Sequence, residues 1–193
     1  MFLICSCLTV YLAYVCTVAC PTDPIVQQQR IFRKHNLEYD SHSGNRDTKD
    51  DMYCNVCNLI VQGRTKHCAQ CNRCCAQFDH HCVWLNNCIG IENYKNFRRL
   101  IFWFLLFNIF SLALITITAI FGLLSSDSTK ISLPIKITIF VQAIFTLVIC
   151  YVDLSLMLLH VWLVSKGITT YEYIYYKRER KEKQQDVLNG FMT

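Results

Sequence analysis

Between Cys54 and Cys88 the chain packs eight of its 13 cysteines and three of its six histidines into 35 residues. They come as Cys54-x-x-Cys57, His67-Cys68-x-x-Cys71-x-x-Cys74 and Asp79-His80-His81-Cys82, followed by Cys88. Cys-x-x-Cys is the tight-turn spacing that lets two thiolates reach one tetrahedral metal ion. Two such ions need eight ligands, and eight cysteines plus three histidines leave three groups over. A disulfide framework would give the histidines no work. Mixed Cys/His zinc sites demand them, and suit a compartment where thiols stay reduced. Spacing alone does not say which group serves which ion.

One His-x-Cys pair in this segment has the spacing for nucleophilic chemistry. In an extended chain residues two apart point the same way, so His80 and Cys82 project together while His81 turns to the opposite face. A cysteine of ordinary pKa is mostly thiol at neutral pH, and an adjacent imidazole can take its proton. Asp79 would fix the tautomer of that imidazole and stabilise its charged form. The plainer alternative is that His80 and Cys82 are spare metal ligands.

The Cys/His ladder ending in Asp79-His80-His81-Cys82, with Asn87-Cys88-x-Gly90, Asn93 and Thr169-Thr170-x-Glu172 after it, resembles the cysteine-rich domain of DHHC-type protein S-acyltransferases (palmitoyltransferases). The resemblance implies one zinc site of Cys54, Cys57, His67 and Cys74 and another of Cys68, Cys71, His81 and Cys88, both structural. Cys75, His80 and Cys82 remain, and Cys75, outside the motif, is expected to be a small buried residue. Cys82 would take an acyl group from palmitoyl-CoA and pass it to cytosolic cysteines of membrane-associated proteins, with His80 as base. Thr170 would hydrogen-bond Asp79. Trp84 would lie along the acyl chain, and Lys95, Arg98 and Arg99 would meet the CoA phosphates, although positive-inside anchoring explains those three as well. Val83 stands where the family usually has proline, which bears on how Cys82 is positioned. Asp23-Pro24 is similar to the family's acidic-proline signature, with Ile25 in place of its usual glycine.

The elements that must position this segment are membrane helices. With 53% hydrophobic residues among 193, the chain is too apolar for a soluble domain of its size. Phe2 to Cys20, Leu100 to Leu124, and Ile137 to Val164 are long apolar runs, the first two free of charge. The first lacks the basic residues that open a cleaved signal, so it reads as a span. The expected fold is thus an α-helical multi-pass membrane protein with a small zinc-stabilised cysteine-rich cytosolic domain. Its parts are spans at 2–20, 100–124 and 137–164, a cytosolic linker at 21–53, the zinc-binding domain at 54–97, a lumenal turn at 125–136 and a cytosolic tail at 165–193. The linker is expected to be solvated, helical at most around Ile31 to Leu37, and no internal repeat is visible.

Eleven Lys and Arg lie between the first two spans, six after the third and two in the turn, placing the cysteine-rich segment and the tail in the cytosol. The net charge of +5 follows the membrane and not a nucleic-acid-binding pattern, so no nucleic-acid partner is expected. The alternating signs of the tail from Lys177 to Lys183 read as a solvated helix. Gln142, Asp153 and His160, 11 and 7 residues apart, share one stripe of the third span. A polar face turned to neighbouring helices accounts for them more simply than a proton path. The family context implies the endoplasmic reticulum or Golgi.

The resemblance also implies four helices, with the cysteine-rich loop between the second and third. Phe2 to Cys20, standing before Asp23-Pro24, matches the second, so the first is expected to be missing. Val83 and that missing helix favour the alternative function, a catalytically weak zinc-binding membrane adaptor. Lipid tails are as apolar as leucine and can cover an open side of the acyl cavity. The expectation is self-acylation at a reduced rate with little discrimination between acyl lengths. A series of acyl-CoA donors in bilayers tests it, and a sharp optimum at one length would refute it.

Overall fold

The computed structural model describes residues 1–38, 51–124 and 132–191. The middle of the expected linker, most of the expected lumenal turn and the last two residues lie outside the described residues. The chain divides into two compact units, Met1–Tyr14 with Asn96–Trp162, and Val15–Lys95 with Leu163–Thr193.

The first unit is helical. Its chain belongs to α1 (Phe2–Val18), α3 (Tyr94–Leu124) and α4 (Leu133–Lys166). At about 1.5 Å per residue, α3 and α4 exceed the roughly 30 Å of a hydrocarbon core. These two are long and apolar enough to cross a membrane, and α1 is a shorter apolar helix. Both long helices begin before the apolar runs, at Tyr94 and Leu133, because helix propagation carries on through polar residues at a span's edge. The hydroxyls of Ser111, Thr116, Thr118, Thr138 and Ser155 each donate to the carbonyl four residues earlier. That bond satisfies them without water. Phe121, Phe140, Phe145 and Tyr151 are exposed, a surface suited to lipid. Of the polar stripe, Asp153 and His160 are buried while Gln142 is exposed and donates to Thr146. The His160 ring meets Phe97 edge to face, centroids 5.3 Å apart.

The second unit contains three antiparallel hairpins, β1 (Met52–Cys54) with β2 (Leu59–Val61), β3 (Lys66–Cys68) with β4 (Arg73–Cys75), and β5 (His80–Cys82) with β6 (Asn87–Ile89). Each strand is three residues long, and such a hairpin does not stand alone in water. The hairpins reveal a repeat that inspection of the sequence misses. Cys54, Cys68 and Cys82 each end a first strand, paired with Leu59, Arg73 and Asn87, and follow one another at intervals of 14 residues. Each four-residue turn ends in an asparagine with positive φ, Asn58 at 52°, Asn72 at 48° and Asn86 at 46°. Asparagine tolerates that left-handed conformation better than most residues. The repeat hides because only turn and ligand positions recur, while the strand residues between them differ.

The expected linker holds a helix earlier than foreseen, α2 (Pro24–Lys34). Pro24 opens it, because its fixed φ suits the first helical position where an N–H would have no partner anyway. Its buried residues Ile25, Val26 and Gln29 include Val26 packed with Leu59, Val61 and Cys74. Gln29 bonds both polar groups of Ile60 across β2, at 2.6 and 3.1 Å. The tail forms α5 (Thr170–Phe191).

Asp23 ties these pieces together. Fully buried, it caps α2 by accepting from Ile25 N–H at 2.8 Å, and its other oxygen accepts from Gln62 N–H at 2.8 Å and the Thr65 hydroxyl at 2.7 Å. Its own N–H donates to the Cys74 carbonyl at 2.9 Å. Removing a cap and two charge-assisted bonds leaves buried donors unpaired, so Asp23→Ala is expected to destabilise this unit by about 3 kcal/mol. Thermal melts and faster metal release to a chelator would register it, and wild-type behaviour in both would contradict the assignment.

Candidate active site and metal centres

The repeat brings the sequence-predicted ligands into two groups of four, Cys54, Cys57, His67 and Cys74, and Cys68, Cys71, His81 and Cys88. Within each, the ligand atoms all lie within 4.8 Å of one another. In the first, His67 Nδ1 stands 3.4 Å from Cys57 Sγ and 3.8 Å from those of Cys54 and Cys74, with Cys57 and Cys74 3.6 Å apart. In the second, His81 Nδ1 stands 3.2, 3.7 and 3.9 Å from Cys71, Cys68 and Cys88. A tetrahedron with bonds of about 2.3 Å to sulfur and 2.0 Å to nitrogen has edges of roughly 3.5 to 3.8 Å. Both groups fit such an ion. Burial, then the neighbouring thiols of Cys54 and Cys57, push the Cys74 thiol up, and its contact with Cys75, then burial, does the same to Cys88. Gathered thiolates repel one another, and a bound cation removes that repulsion.

The groups interleave. Each draws a Cys-x-x-Cys pair from one hairpin and its histidine and last cysteine from the next. His67 pairs across the ladder with Cys74, and His81 with Cys88, so both supply ligands from facing strand positions.

On β5 the neighbours of His81 make a separate constellation. His80 Nδ1 lies 2.7 Å from Asp79 Oδ2, and Asp79 is only 2% exposed. A carboxylate can only accept, so Nδ1 carries the hydrogen and Nε2 is left for the bond His80 makes with the Cys82 thiol. Burial works against a charged imidazole, but the bonds to Asp79 and Cys82 outweigh it and push His80 up to about 9. Burial raises Cys82, yet the His80 bond and the backbone N–H groups of Leu85 and Trp84 bring it below its ordinary value. Asp79, despite its burial, is held low by His80 and by Thr170. The arrangement can hold a thiolate beside an imidazolium.

Asp79 is anchored from the far end of the unit. Thr170 N–H donates to its Oδ1 at 2.8 Å and Tyr171 N–H to its backbone carbonyl at 3.1 Å. The 2.8 Å contact of Thr170 runs through its backbone N–H. The first N–H groups of α5 thus meet a carboxylate, as helix N-termini favour. Thr169 and Glu172 form a capping box, Glu172 Oε2 accepting from Thr169 N–H at 2.8 Å and Thr169 Oγ1 from Glu172 N–H at 3.2 Å. Arg64 grips the same glutamate with two bonds of 2.6 and 2.7 Å and the Gly167 carbonyl with a third at 3.2 Å.

Two asparagines hold the opposite side. Asn87, almost fully buried and paired with Cys82, donates from Nδ2 to the carbonyls of Cys16, Thr17 and Ala19 at 2.9, 3.1 and 2.9 Å. Its Oδ1 accepts from Cys88 N–H and from Arg73, both at 2.9 Å. Asn93 joins the Cys88 carbonyl and Gly90 N–H at 2.9 and 3.0 Å. The carbonyls left open at the end of α1 are therefore capped from β6. A side chain on Gly90 would meet Cys75 Sγ and the Ala76 carbonyl at 2.5 Å, so the residue has to be glycine; Cys75 itself is buried.

Trp84 stands out at 94% exposed beside the buried Cys82, with Val83 also exposed. Lys95, Arg98 and Arg99 lie on the first turns of α3, where Arg99 donates to Asn96 at 3.3 Å. Sequence reasoning passed over Arg64, whose partner is 108 residues away.

The sequence model described as DHHC palmitoyltransferase matches residues 47–177. Palmitoyltransferase ZDHHC15A of Danio rerio is 35% identical over 125 residues, covering 63% of this chain and 36% of the relative. Probable protein S-acyltransferase 15 of Arabidopsis thaliana is 33% identical over 139 residues, covering 72% and 54%. Palmitoyltransferase SWF1 of Saccharomyces cerevisiae is 39% identical over 119 residues, covering 62% and 33%. The chain thus spans between about a third and about half of the length of these relatives.

The Arg64 grip generates a prediction. Arg64→Ala and Glu172→Gln should each speed amide exchange at Thr170 and Tyr171 about fivefold, the worth of a partly exposed pair near 1 kcal/mol. The double variant should exchange no faster than the worse single one. Glu172 is held below its ordinary value of 4.5, opposed by burial and driven chiefly by Arg64, so the pair's contribution is present above pH 4.5 and lost as pH falls through the depressed value. Unchanged exchange in the single variants would contradict the grip.

Proposed function

Because the chain belongs to the DHHC palmitoyltransferase family, we propose that it is a protein S-palmitoyltransferase working through a thioester on Cys82. The observation that carries this reading is the opposed placement of two adjacent histidines. His80 joins Asp79 and Cys82, while His81 faces three cysteines.

In the first step Cys82 Sγ attacks the thioester carbonyl of palmitoyl-CoA, and the carbon–sulfur bond to CoA breaks. The proton that Cys82 gave to His80 leaves on the CoA thiol. In the second, His80 takes the proton of a substrate cysteine, whose sulfur attacks the Cys82 thioester and restores the Cys82 thiol. Asp79, fixed by the Thr170 N–H, keeps the imidazole oriented through both. Trp84 lies along the acyl chain, and Lys95, Arg98 and Arg99 meet the phosphates of CoA.

The two four-ligand groups hold Zn²⁺, which supplies folding energy and neutralises the thiolates. Four protein ligands leave no open position, so these ions are structural. The protein is a multi-pass membrane protein of the endoplasmic reticulum or Golgi, its cysteine-rich unit and tail cytosolic by the distribution of Lys and Arg. Its substrates are cysteines of membrane-associated proteins.

Two variants of neighbouring residues test the reading. His80→Ala should keep two zinc ions per chain and slow acylation by about 100-fold or more, as loss of a general base does. His81→Ala should lose zinc from the second site and unfold the hairpin. Equal zinc loss in both would overturn the assignment, unimpaired acylation in His80→Ala would remove His80 as the base, and no acyl chain on Cys82 of the wild type would favour a binding adaptor.

A further inference from the structure

The 14-residue repeat contains three hairpins but only two metal-ligand groups. In the first hairpin Cys54 is followed three residues on by Cys57, and in the second Cys68 is followed by Cys71. In the third, Cys82 is followed by Leu85. The ladder and the left-handed asparagine of the turn are kept. Cys82 closes its ladder opposite Asn87 as Cys54 does opposite Leu59 and Cys68 opposite Arg73. Asn86 takes the left-handed conformation of Asn58 and Asn72.

The backbone donors are kept too. Cys54 Sγ accepts from the N–H of Cys57 at 3.4 Å, and the N–H of Val56 bonds it as well. Gln70 and Cys71 treat Cys68 in the same way, and Trp84 and Leu85 treat Cys82. This turn presents two amides to a sulfur that would otherwise carry its charge unaided, as suits a metal-bound thiolate.

We propose that the β5–β6 hairpin is a third metal-binding turn stripped of its metal, and that Leu85 is the residue that keeps Cys82 out of a metal site. The meaning of this for catalysis rests on Cys82 being the nucleophile. The fold thus has three thiols in the same setting, two of them committed to metal and the third left with the same amides and His80 in place of an ion. Leu85, only 8% exposed, fills the place of the second ligand with a side chain that has no donor atom. A cysteine there would recreate the Cys-x-x-Cys pair with His80 already bonded to Cys82, giving three donors of the right kind. Leu85 is therefore a positioning residue that acts by exclusion.

The test is the variant Leu85→Cys in the full chain, kept reduced with a phosphine, and alkylation of Cys82 followed by peptide mass spectrometry. The variant should purify with two zinc ions, since the other two hairpins carry cysteine at this position. Added Zn²⁺ should then bring a third ion and slow alkylation of Cys82 about tenfold or more, because a metal-bound thiolate is a poor nucleophile. A chelator too weak to empty the first two sites should reverse it. Wild type and Leu85→Ser should show no protection by Zn²⁺. Leu85→His, which offers a nitrogen ligand, should be protected as well.

Cys82 in Leu85→Cys that is alkylated equally with and without Zn²⁺ would overturn the proposal. So would loss of the first two zinc ions in both Leu85→Cys and Leu85→His, because a turn built like the other two accommodates a ligand there. The alkylation readout needs no acyl transfer. If Zn²⁺ protects Cys82 in the variant but the wild type forms no acyl thioester, the nucleophile assignment falls and the stripped turn stands.

Discussion

Each four-ligand group is shared between two successive hairpins, and the rest of the cysteine-rich unit depends on that sharing. A hairpin of two three-residue strands buries too little to be stable. Its Cys-x-x-Cys turn meets a histidine and a cysteine from the following hairpin, so no hairpin can be placed without its neighbour. His81 belongs to this scheme and sits between His80 and Cys82. Fixing one face of β5 by His81 therefore fixes the direction of the other, where His80 and Cys82 stand. In the proposed mechanism chemistry and folding are thus coupled at adjacent residues of one short strand.

The remaining contacts lock the unit that carries that strand. Asn87 caps the end of α1 from the position opposite Cys82, Asp23 binds α2 to the first two hairpins, and the α5 N-terminus grips Asp79. These are hydrogen bonds made by buried side chains, where an unpaired partner costs about 1 to 3 kcal/mol. A buried polar network of this kind specifies one arrangement more strictly than apolar packing does. Acid–base catalysis by an imidazole, which takes a proton when neutral and gives one when charged, requires such fixed placement, because a misplacement near 1 Å can cost about 100-fold in rate.

That the segment holds metal ligands was legible because Cys-x-x-Cys spacing is local, but which ligands gather at which ion came from the family resemblance alone, because each group draws on two hairpins. The long apolar runs gave away α3 and α4, though not where the helices begin, since a helix does not stop where its residues become polar. The α2 helix escaped because its 11 residues are mostly polar, and only packing of Ile25 and Val26 reveals its apolar side. The repeat escaped because its third copy has Leu85 where the others have cysteine. Arg64 and Asn87 act through partners that are about 70 to 110 residues distant, and no local pattern marks such pairs. Thr170 was placed beside Asp79 by the family motif and by no local pattern, since 91 residues separate the two, and its backbone N–H makes the 2.8 Å contact.

The central claim is that one thiol among 13 cysteines carries the acyl group. Peptide-level mass spectrometry after brief incubation of the zinc-loaded protein with palmitoyl-CoA in bilayers tests it most directly. The account predicts a hydroxylamine-labile palmitoyl group on Cys82, one CoA released per chain, and none of either in Cys82→Ser with both zinc ions retained. An acyl group on another cysteine that persists in Cys82→Ser would contradict it.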